Sequence, residues 1–224
     1  MPMSKRRSWV AWSSGKDSLW ALHVLRQNDD IEVTGLLTTV TGDYQRVSMH
    51  GVREELLQAQ AAALGLPLYR VVIPAWCSDE VYDQAMQAAM DDARRAGVTQ
   101  VAFGDLFLES VRAYREERLG RIGMEACFPL WGRDTAALAR EMIDGGLRAR
   151  ITCLDPSKVS RDLAGREYDL SLLEGLPESV DPCGENGEFH TFAYGGPGLA
   201  RPLKVHLGEV VERAGFVFAD VLPG

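Results

Sequence analysis

The chain has 224 residues, 46% of them hydrophobic and 25% charged, a composition typical of a globular protein with a substantial core. Its net charge of −8 argues against stable binding to nucleic acid, although a local basic groove stays open. The apolar runs are too short to cross a membrane, and no uninterrupted apolar segment follows the basic start, so we expect neither a membrane span nor a signal peptide. The four cysteines are far apart and form no C-x-x-C pair, which favours reduced thiols in the cytoplasm.

The first predicted strand, residues 8–12, runs into a short loop of small residues and then into a helix. Such a loop can hold phosphate, because its backbone amides and the positive end of the helix dipole point at the anion. Lys16 would add a mobile positive charge, and Asp17 would attract a magnesium ion that arrives with a nucleotide. The alternative is an ordinary polar turn, but the position at a strand-to-helix junction favours a nucleotide. The predicted phosphate-binding residues are Ser13, Ser14, Gly15, Lys16, Asp17 and Ser18.

Strands and helices alternate from this loop to residue 154. Hydrophobic patterns predict strands at 31–40, 68–73, 98–103 and 147–154, and helices at 52–64, 79–96, 110–122 and 134–143. This alternation predicts an α/β fold with a parallel sheet and right-handed crossovers.

Ligands of such a sheet bind at the carboxyl ends of its strands. We therefore expect adenine and ribose near Thr38, at the end of the second strand, although ordinary β-propensity explains this threonine equally well. Gly104 and Asp105 end the fourth strand at the same edge and are predicted to contact the nucleotide as well.

The pattern changes after residue 155. Short strands are predicted at 189–194, 203–207 and 216–219, which indicates a small lobe with antiparallel strands. No flexible linker marks the boundary, which we place between residues 124 and 135. The predicted organisation is a nucleotide-binding domain at 1–130 and a C-terminal α+β substrate lobe at 131–224.

Four segments, in this order, match one known pattern. The loop Ser13-Ser14-Gly15-Lys16-Asp17-Ser18 resembles the S-G-G-K-D-S loop of the ATP pyrophosphatases, with Ser14 in place of the first glycine. Gly104-Asp105 follows the fourth strand, and Pro129-Leu130-Trp131 matches a P-L-W segment. The late run from Cys183 to Phe192 matches C-G-E-x-G-E-[FY]-x-T-F. Over almost its whole length the chain resembles the diphthine–ammonia ligase family, the diphthamide synthesis domain.

This resemblance implies a Rossmann-like nucleotide-binding domain of the HUP/PP-loop type, with ATP and Mg²⁺ as cofactors. The family cleaves ATP to AMP and pyrophosphate, and the resulting adenylate activates a carboxylate that ammonium then attacks. The implied acceptor is a modified residue on a translation factor, diphthine on elongation factor 2. A homo-oligomer is left open.

The late acidic loop offers residues for the second half of such a reaction. Glu185 and Glu188 are two carboxylates in a glycine-rich segment that can bind ammonium, orient it or accept its proton. The alternative is a solvated acidic turn before a strand. With the family match, the predicted catalytic residues are Lys16, Asp17, Glu185 and Glu188. The weaker candidates are His50, His190, Arg112, Arg115 and Cys183.

One segment departs from the family pattern. Ligases of this type carry a G-D-E-V-E-D-L-like stretch, whereas residues 77–84 here read C-S-D-E-V-Y-D-Q, which keeps only the D-E-V core. Relatives that diverge here are thought to act on other substrates, so the resemblance supports the adenylating chemistry more firmly than the acceptor. The alternatives are a tRNA-modifying enzyme of the thiolase type, which the missing C-x-x-C disfavours, and a non-catalytic nucleotide sensor, which needs neither Lys16 nor the acidic loop.

Overall fold

The computed structural model describes residues 5–224, so residues 1–4, at the basic start where we expect no signal peptide, lie outside the described part. None of the helices in the described part combines the length and apolar character that a membrane crossing requires. The first sheet contains β1 (Arg6–Ala11), β2 (Ile31–Thr41), β3 (Arg46–Val47), β4 (Leu68–Ile73), β5 (Gln100–Ala102) and β6 (Glu125–Cys127). The second contains β7 (Arg148–Leu154), β8 (Phe189–Gly195), β9 (Val205–Arg213) and β10 (Phe216–Pro223). The helices are α1 (Lys16–Leu25), α2 (Glu54–Leu64), α3 (Asp79–Arg95), α4 (Glu109–Gly120), α5 (Thr135–Asp144) and α6 (Leu170–Gly175).

The first sheet is parallel apart from one short strand. β2, β1, β5 and β6 are consecutive neighbours, β4 pairs parallel with β2, and β3 pairs antiparallel with Val40 and Thr41. The predicted α/β class with a parallel sheet is confirmed. Because β1 lies between β2 and β5, the direction in which the chain builds the sheet reverses there, and a crevice opens at the carboxyl ends of these strands.

The second sheet is antiparallel, in the order β8–β7–β10–β9. The prediction for 147–154 is therefore right as a strand but wrong as a member of the parallel sheet, because β7 pairs with β8 and β10. The local pattern predicts a strand after α5 but does not show which strands it pairs with. Its partners come from residues 189–223, later in the chain.

Buried side chains from both sheets form one large core. Val10 of β1 and Leu57 of α2 belong to the same cluster as Phe192 of β8 and Val217 of β10, all at most 1% exposed. A fully buried apolar side chain of this kind contributes about 1.5–3 kcal/mol. A second cluster, which includes Trp9 and Met90, lies under α3. The boundary between residues 130 and 131 stays a prediction.

Local signals explain where several helices begin and end. Gly65, after α2, has a φ of 67°, the left-handed conformation in which glycine ends helices. Ser78 accepts a hydrogen bond from the Val81 N–H at the start of α3, and Asp134 accepts one from Ala137 at the start of α5. The Ser78 cap places the first turn of α3 shortly after the carboxyl end of β4.

Candidate active site

The loop between β1 and α1 is held in a conformation suited to an anion. Ser14 has a φ of 68°, which glycine adopts more readily than serine. Gly15 precedes α1 without a side-chain cap, so the N–H groups of Asp17 and Ser18 face outward from the helix start. A Cβ at position 15 would lie 3.1 Å from both the His50 ring and the Thr191 carbonyl, so the packing here favours glycine.

A cavity of about 730 Å³ lies beside this loop. It opens at the carboxyl ends of β1, β2, β4 and β5, where a parallel sheet binds its ligands. The residues that line it from the first sheet and its loops include Trp12, Ser13, Asp17, Ser18, Leu37, Thr39, His50, Gly104 and Asp105. The structure thus brings Ser13, Asp17, Ser18, Gly104 and Asp105, all predicted from the sequence, to one cavity. Ser14 and Gly15 belong to the same loop but do not line the cavity.

Lys16 does not behave as predicted. Its side chain is buried, with the residue 1% exposed, and its ammonium donates to Asp17 Oδ2 (2.8 Å) and to the Cys183 carbonyl. The nitrogen also lies 5.4 Å from the ring centre of Tyr168 and 5.6 Å from that of Phe189. Burial alone would lower the pKa of Lys16, but the neighbouring Asp17 charge raises it above the usual value. The expectation of a mobile charge is wrong: Lys16 is a fixed cation between two segments.

Thr38 also differs from the prediction. It is buried, and its Oγ1 donates to the Trp12 carbonyl at 2.7 Å, so it holds the end of β1. The cavity is lined by its neighbours Leu37 and Thr39. Since side chains alternate along a strand, a shift of one residue exchanges the buried face for the open one.

The acidic loop folds over the phosphate loop. Thr191 Oγ1 accepts from the Lys16 N–H at 3.1 Å, and the Ala193 N–H donates to the Ser14 carbonyl at 2.9 Å. Glu185 lines the cavity, where its Oε1 accepts from the Leu106 N–H at 2.7 Å. Burial raises the pKa of Glu185 to about 7, so both its protonated and its ionised form are populated near neutral pH.

Glu188 has a different environment. It is 3% exposed, and its Oε1 accepts from the Asp181 N–H at 3.0 Å and from Asn186 Nδ2 at 3.1 Å. It does not belong to the cavity lining. The two glutamates of the motif are therefore separated: one faces the cavity and the other closes its own loop.

Two histidines from different elements meet at the cavity wall. The rings of His50 and His190 have centres 4.6 Å apart, and both line the cavity. Burial lowers the pKa of His50 to about 3 and that of His190 to about 4, so both are neutral at physiological pH. Neutral imidazoles can donate or accept a single hydrogen bond each to a bound substrate.

Part of the cavity wall was not predicted from the sequence. Ala75, Cys77, Asp79 and Tyr82 line it, and the last three belong to the segment that departs from the family pattern. The available signal was position, since this segment directly follows the carboxyl end of β4.

The two candidate arginines of α4 have different surroundings. Arg115 lines the cavity and pairs with Asp105 at 2.7 Å. Arg112 instead stacks on Trp131, 4.7 Å from its ring centre, and pairs with Glu116 at 2.8 Å. Of the two, only Arg115 is placed to contact a ligand in this cavity.

A loop of the phosphate-binding type lies where the direction of sheet building reverses in a parallel sheet. This combination defines a nucleotide-binding α/β enzyme. Residues 6–126, more than half of the chain, match the family model described as the diphthamide synthase N-terminal domain. A zebrafish (Danio rerio) diphthine–ammonia ligase is 32% identical over 182 residues, which cover 72% of this chain and 69% of the relative. The human enzyme of the same name is 28% identical over 195 residues, covering 80% and 70%. The chain belongs to the diphthamide synthase family and is an ATP-dependent ligase. Neither a tRNA-modifying enzyme nor a non-catalytic nucleotide sensor is therefore favoured.

Proposed function

We propose that this ligase forms an amide from a carboxylate and ammonium, with ATP cleaved to AMP and pyrophosphate. One arrangement carries the proposal. Glu185, from the acidic loop, lines the same cavity as Asp17 and Ser18, from the phosphate loop. A place for the nucleotide phosphates and a carboxylate suited to ammonium thus share one space.

The chemistry requires activation, because a carboxylate is a poor electrophile whose leaving group would be oxide. A carboxylate oxygen of the acceptor attacks the α-phosphorus, the bond to the β-phosphate breaks, and pyrophosphate leaves. Ammonia then attacks the acyl carbon, and the bond to the AMP oxygen breaks. The backbone N–H groups of Asp17 and Ser18 are directed to stabilise the negative charge that develops on phosphate.

Glu185 has the properties needed for the ammonium step. Ammonium must lose a proton before its nitrogen can attack, and a base works best when its pKa lies near the operating pH. The pKa of Glu185, raised to about 7 by burial, meets that condition. The carboxylate would also attract the ammonium cation into the cavity.

Asp17 is the proposed magnesium ligand. Its Oδ2 pairs with Lys16, whereas its Oδ1 is buried without a hydrogen-bond partner, so one oxygen is available to a cation. No cluster of three or more His, Cys, Asp or Glu residues suited to a metal occurs within residues 5–224. This fits Mg²⁺ held by one carboxylate together with nucleotide phosphates. When bound, the ion would neutralise charge on the phosphate oxygens.

The acceptor is proposed from the names of the relatives, which specify diphthine. We infer a carboxylate on a modified residue of a translation factor, and the wall formed by Ala75, Cys77, Asp79 and Tyr82 as the part that selects it. A cytoplasmic location is consistent with this acceptor, and both this location and a homo-oligomer stay predictions.

The test combines the protein with ATP, ammonium and elongation factor that carries diphthine. We expect AMP and an amide product that incorporates ¹⁵N from labelled ammonium, and no product when any component is omitted. Release of ADP and phosphate would contradict the proposal. AMP formation with another carboxylate but not with diphthine would retain the chemistry and replace the acceptor.

A further inference from the structure

Gln60 of α2 is fully buried, with an exposure of 0%, and it contacts three segments that meet behind the cavity. Its Oε1 accepts from Trp12 Nε1 at 3.0 Å. Its Nε2 donates to the Ser14 carbonyl at 3.1 Å and also to the Ala193 carbonyl of β8. The side-chain amide therefore joins the end of β1, the phosphate loop and the strand that follows the acidic loop.

The orientation of this amide is determined by its partners. An indole nitrogen only donates, so the Gln60 oxygen must face Trp12. The two carbonyls of Ser14 and Ala193 only accept, so the amide nitrogen must face them. Both N–H donors and the oxygen are used. Turning the side-chain amide by 180° would place its donors against the indole N–H and its oxygen against the two carbonyls, so that orientation is higher in energy.

This contact fixes the direction of a backbone amide in the phosphate loop. In a trans peptide the carbonyl and the next N–H point in opposite directions. Gln60 and the Ala193 N–H together hold the Ser14 carbonyl in the core, so the Gly15 N–H turns away from the core. There it donates to Oγ of Ser13, a residue of the cavity lining, at 3.3 Å.

The held conformation is one that serine does not readily adopt. The φ of Ser14 is 68°, and a residue with a Cβ has a steric penalty in this region. Without the Gln60 contact, only the Ala193 N–H holds the Ser14 carbonyl, and the peptide between Ser14 and Gly15 is freer to rotate to a lower-energy form. The Gly15 N–H would then no longer hold the hydroxyl of Ser13.

We propose that Gln60 is a positioning residue that, through the Ser14–Gly15 peptide, holds the Ser13 side chain for the phosphate chain of the nucleotide. The proposal rests on the proposed nucleotide site in this cavity. Gln60 does not line the cavity, so it acts through the loop and not by touching the substrate.

The test compares the affinities for ATP and for adenosine, measured by calorimetry in Gln60→Met. Methionine keeps the length and burial but donates no hydrogen bond. We expect ATP to bind about tenfold more weakly, as for the loss of one well-placed hydrogen bond to a charged group, with adenosine affinity unchanged. Gln60→Leu is also apolar and removes the amide donor, so it should give the same result if the methionine variant does not fold.

Gln100 provides the matched control. It is also a buried glutamine, 1% exposed, but its Nε2 has no hydrogen-bond partner and it lies on β5 away from the loop. Gln100→Met should leave both affinities unchanged. If a folded Gln60 variant kept the parent ratio of ATP to adenosine affinity, Gln60 would be only a core residue. If the parent itself bound ATP no better than adenosine, the proposed phosphate site would fail instead.

Discussion

The ammonium of Lys16 donates a hydrogen bond to the carbonyl of Cys183, 167 positions later in the chain. Lys16 begins α1 directly after the phosphate loop, and Cys183 begins the acidic motif that carries Glu185. Because Lys16 also pairs with Asp17, one buried cation joins two segments that both line the cavity. The proposed adenylation and amide-forming steps therefore share a structural element.

The first prediction concerns the stability of this link. Lys16→Met should lower the free energy of unfolding by roughly 3 kcal/mol or more, since breaking a buried ion pair leaves an uncompensated charge on Asp17. Chemical denaturation would measure the change, with Lys204→Met, an exposed lysine, as the control. An unchanged stability with lost activity would return Lys16 to the role of a mobile phosphate ligand.

Local patterns allowed most of the fold to be predicted. The strand at 68–73 and the helix that ends at Gly65 follow from hydrophobic spacing and a single glycine, and the structure has both. That β7 belongs to the second sheet could not be predicted in this way, because its neighbours β8 and β10 come from a later part of the chain. Short strands such as β3 and β6 have too few residues to show a periodic pattern.

The site was predictable by residue type and less so by orientation. Asp17, Gly104 and Glu185 line the cavity as expected from a strand-end position and a motif. Lys16 and Glu188 belong to the same motifs but point into the core, and a motif does not show which way a side chain turns. Gln60 gave no signal, since a single glutamine in a helix is ordinary until its partners are known.

The second prediction separates the two glutamates. Glu185→Gln should retain the parent ATP affinity and lose most of the formation of the amide product. The neutral glutamine side chain can neither attract ammonium by charge nor accept its proton. Glu188→Gln should form product near the parent rate and lose about 1 kcal/mol of stability, because one hydrogen bond of its loop is weakened. Calorimetry with ATP and a product assay at varied ammonium would measure both. Parent rates in both variants would return the acidic loop to a structural role.

The third prediction concerns magnesium. Asp17→Asn should raise the Mg²⁺ concentration needed for AMP formation, because a neutral amide oxygen binds a divalent cation more weakly than a carboxylate. Adenosine affinity should not change. Since the substitution also removes the partner of Lys16, the folded fraction is measured first by circular dichroism. An Mg²⁺ titration that coincides with the parent curve would remove Asp17 from this role.

The fourth prediction follows from the pKa of Glu185, raised to about 7 by burial. The carboxylate form accepts the proton, so the rate of amide formation should rise as pH increases through 7. The concentration of ammonium is held constant across the series, because ammonium is the form that Glu185 binds and deprotonates. Glu185→Gln should remove this rise together with most of the activity. A parent profile that is flat between pH 6 and 8 would contradict the assignment, since these limits bracket the pKa.

The fifth prediction concerns the two buried histidines. Their pKa values are lowered mainly by burial, to about 3 for His50 and about 4 for His190, whereas an unfolded histidine titrates near 6.5. Between those values the unfolded state binds protons that the folded state does not, so stability should fall as pH drops below about 6.5. At pH 5 each histidine would lower the free energy of unfolding by up to about 2 kcal/mol relative to pH 8.

Glu185 acts in the opposite direction over part of this range, because its folded form keeps a proton up to about pH 7. The measurement is therefore made in a Glu185→Gln background, by urea denaturation at pH 5 and pH 8. Adding His50→Gln should reduce the stability difference between the two pH values, whereas adding His206→Gln, at an exposed position, should leave it unchanged. An equal difference with and without His50 would mean that its imidazole is protonated in the folded protein at pH 5, and the neutral histidine pair would have to be abandoned.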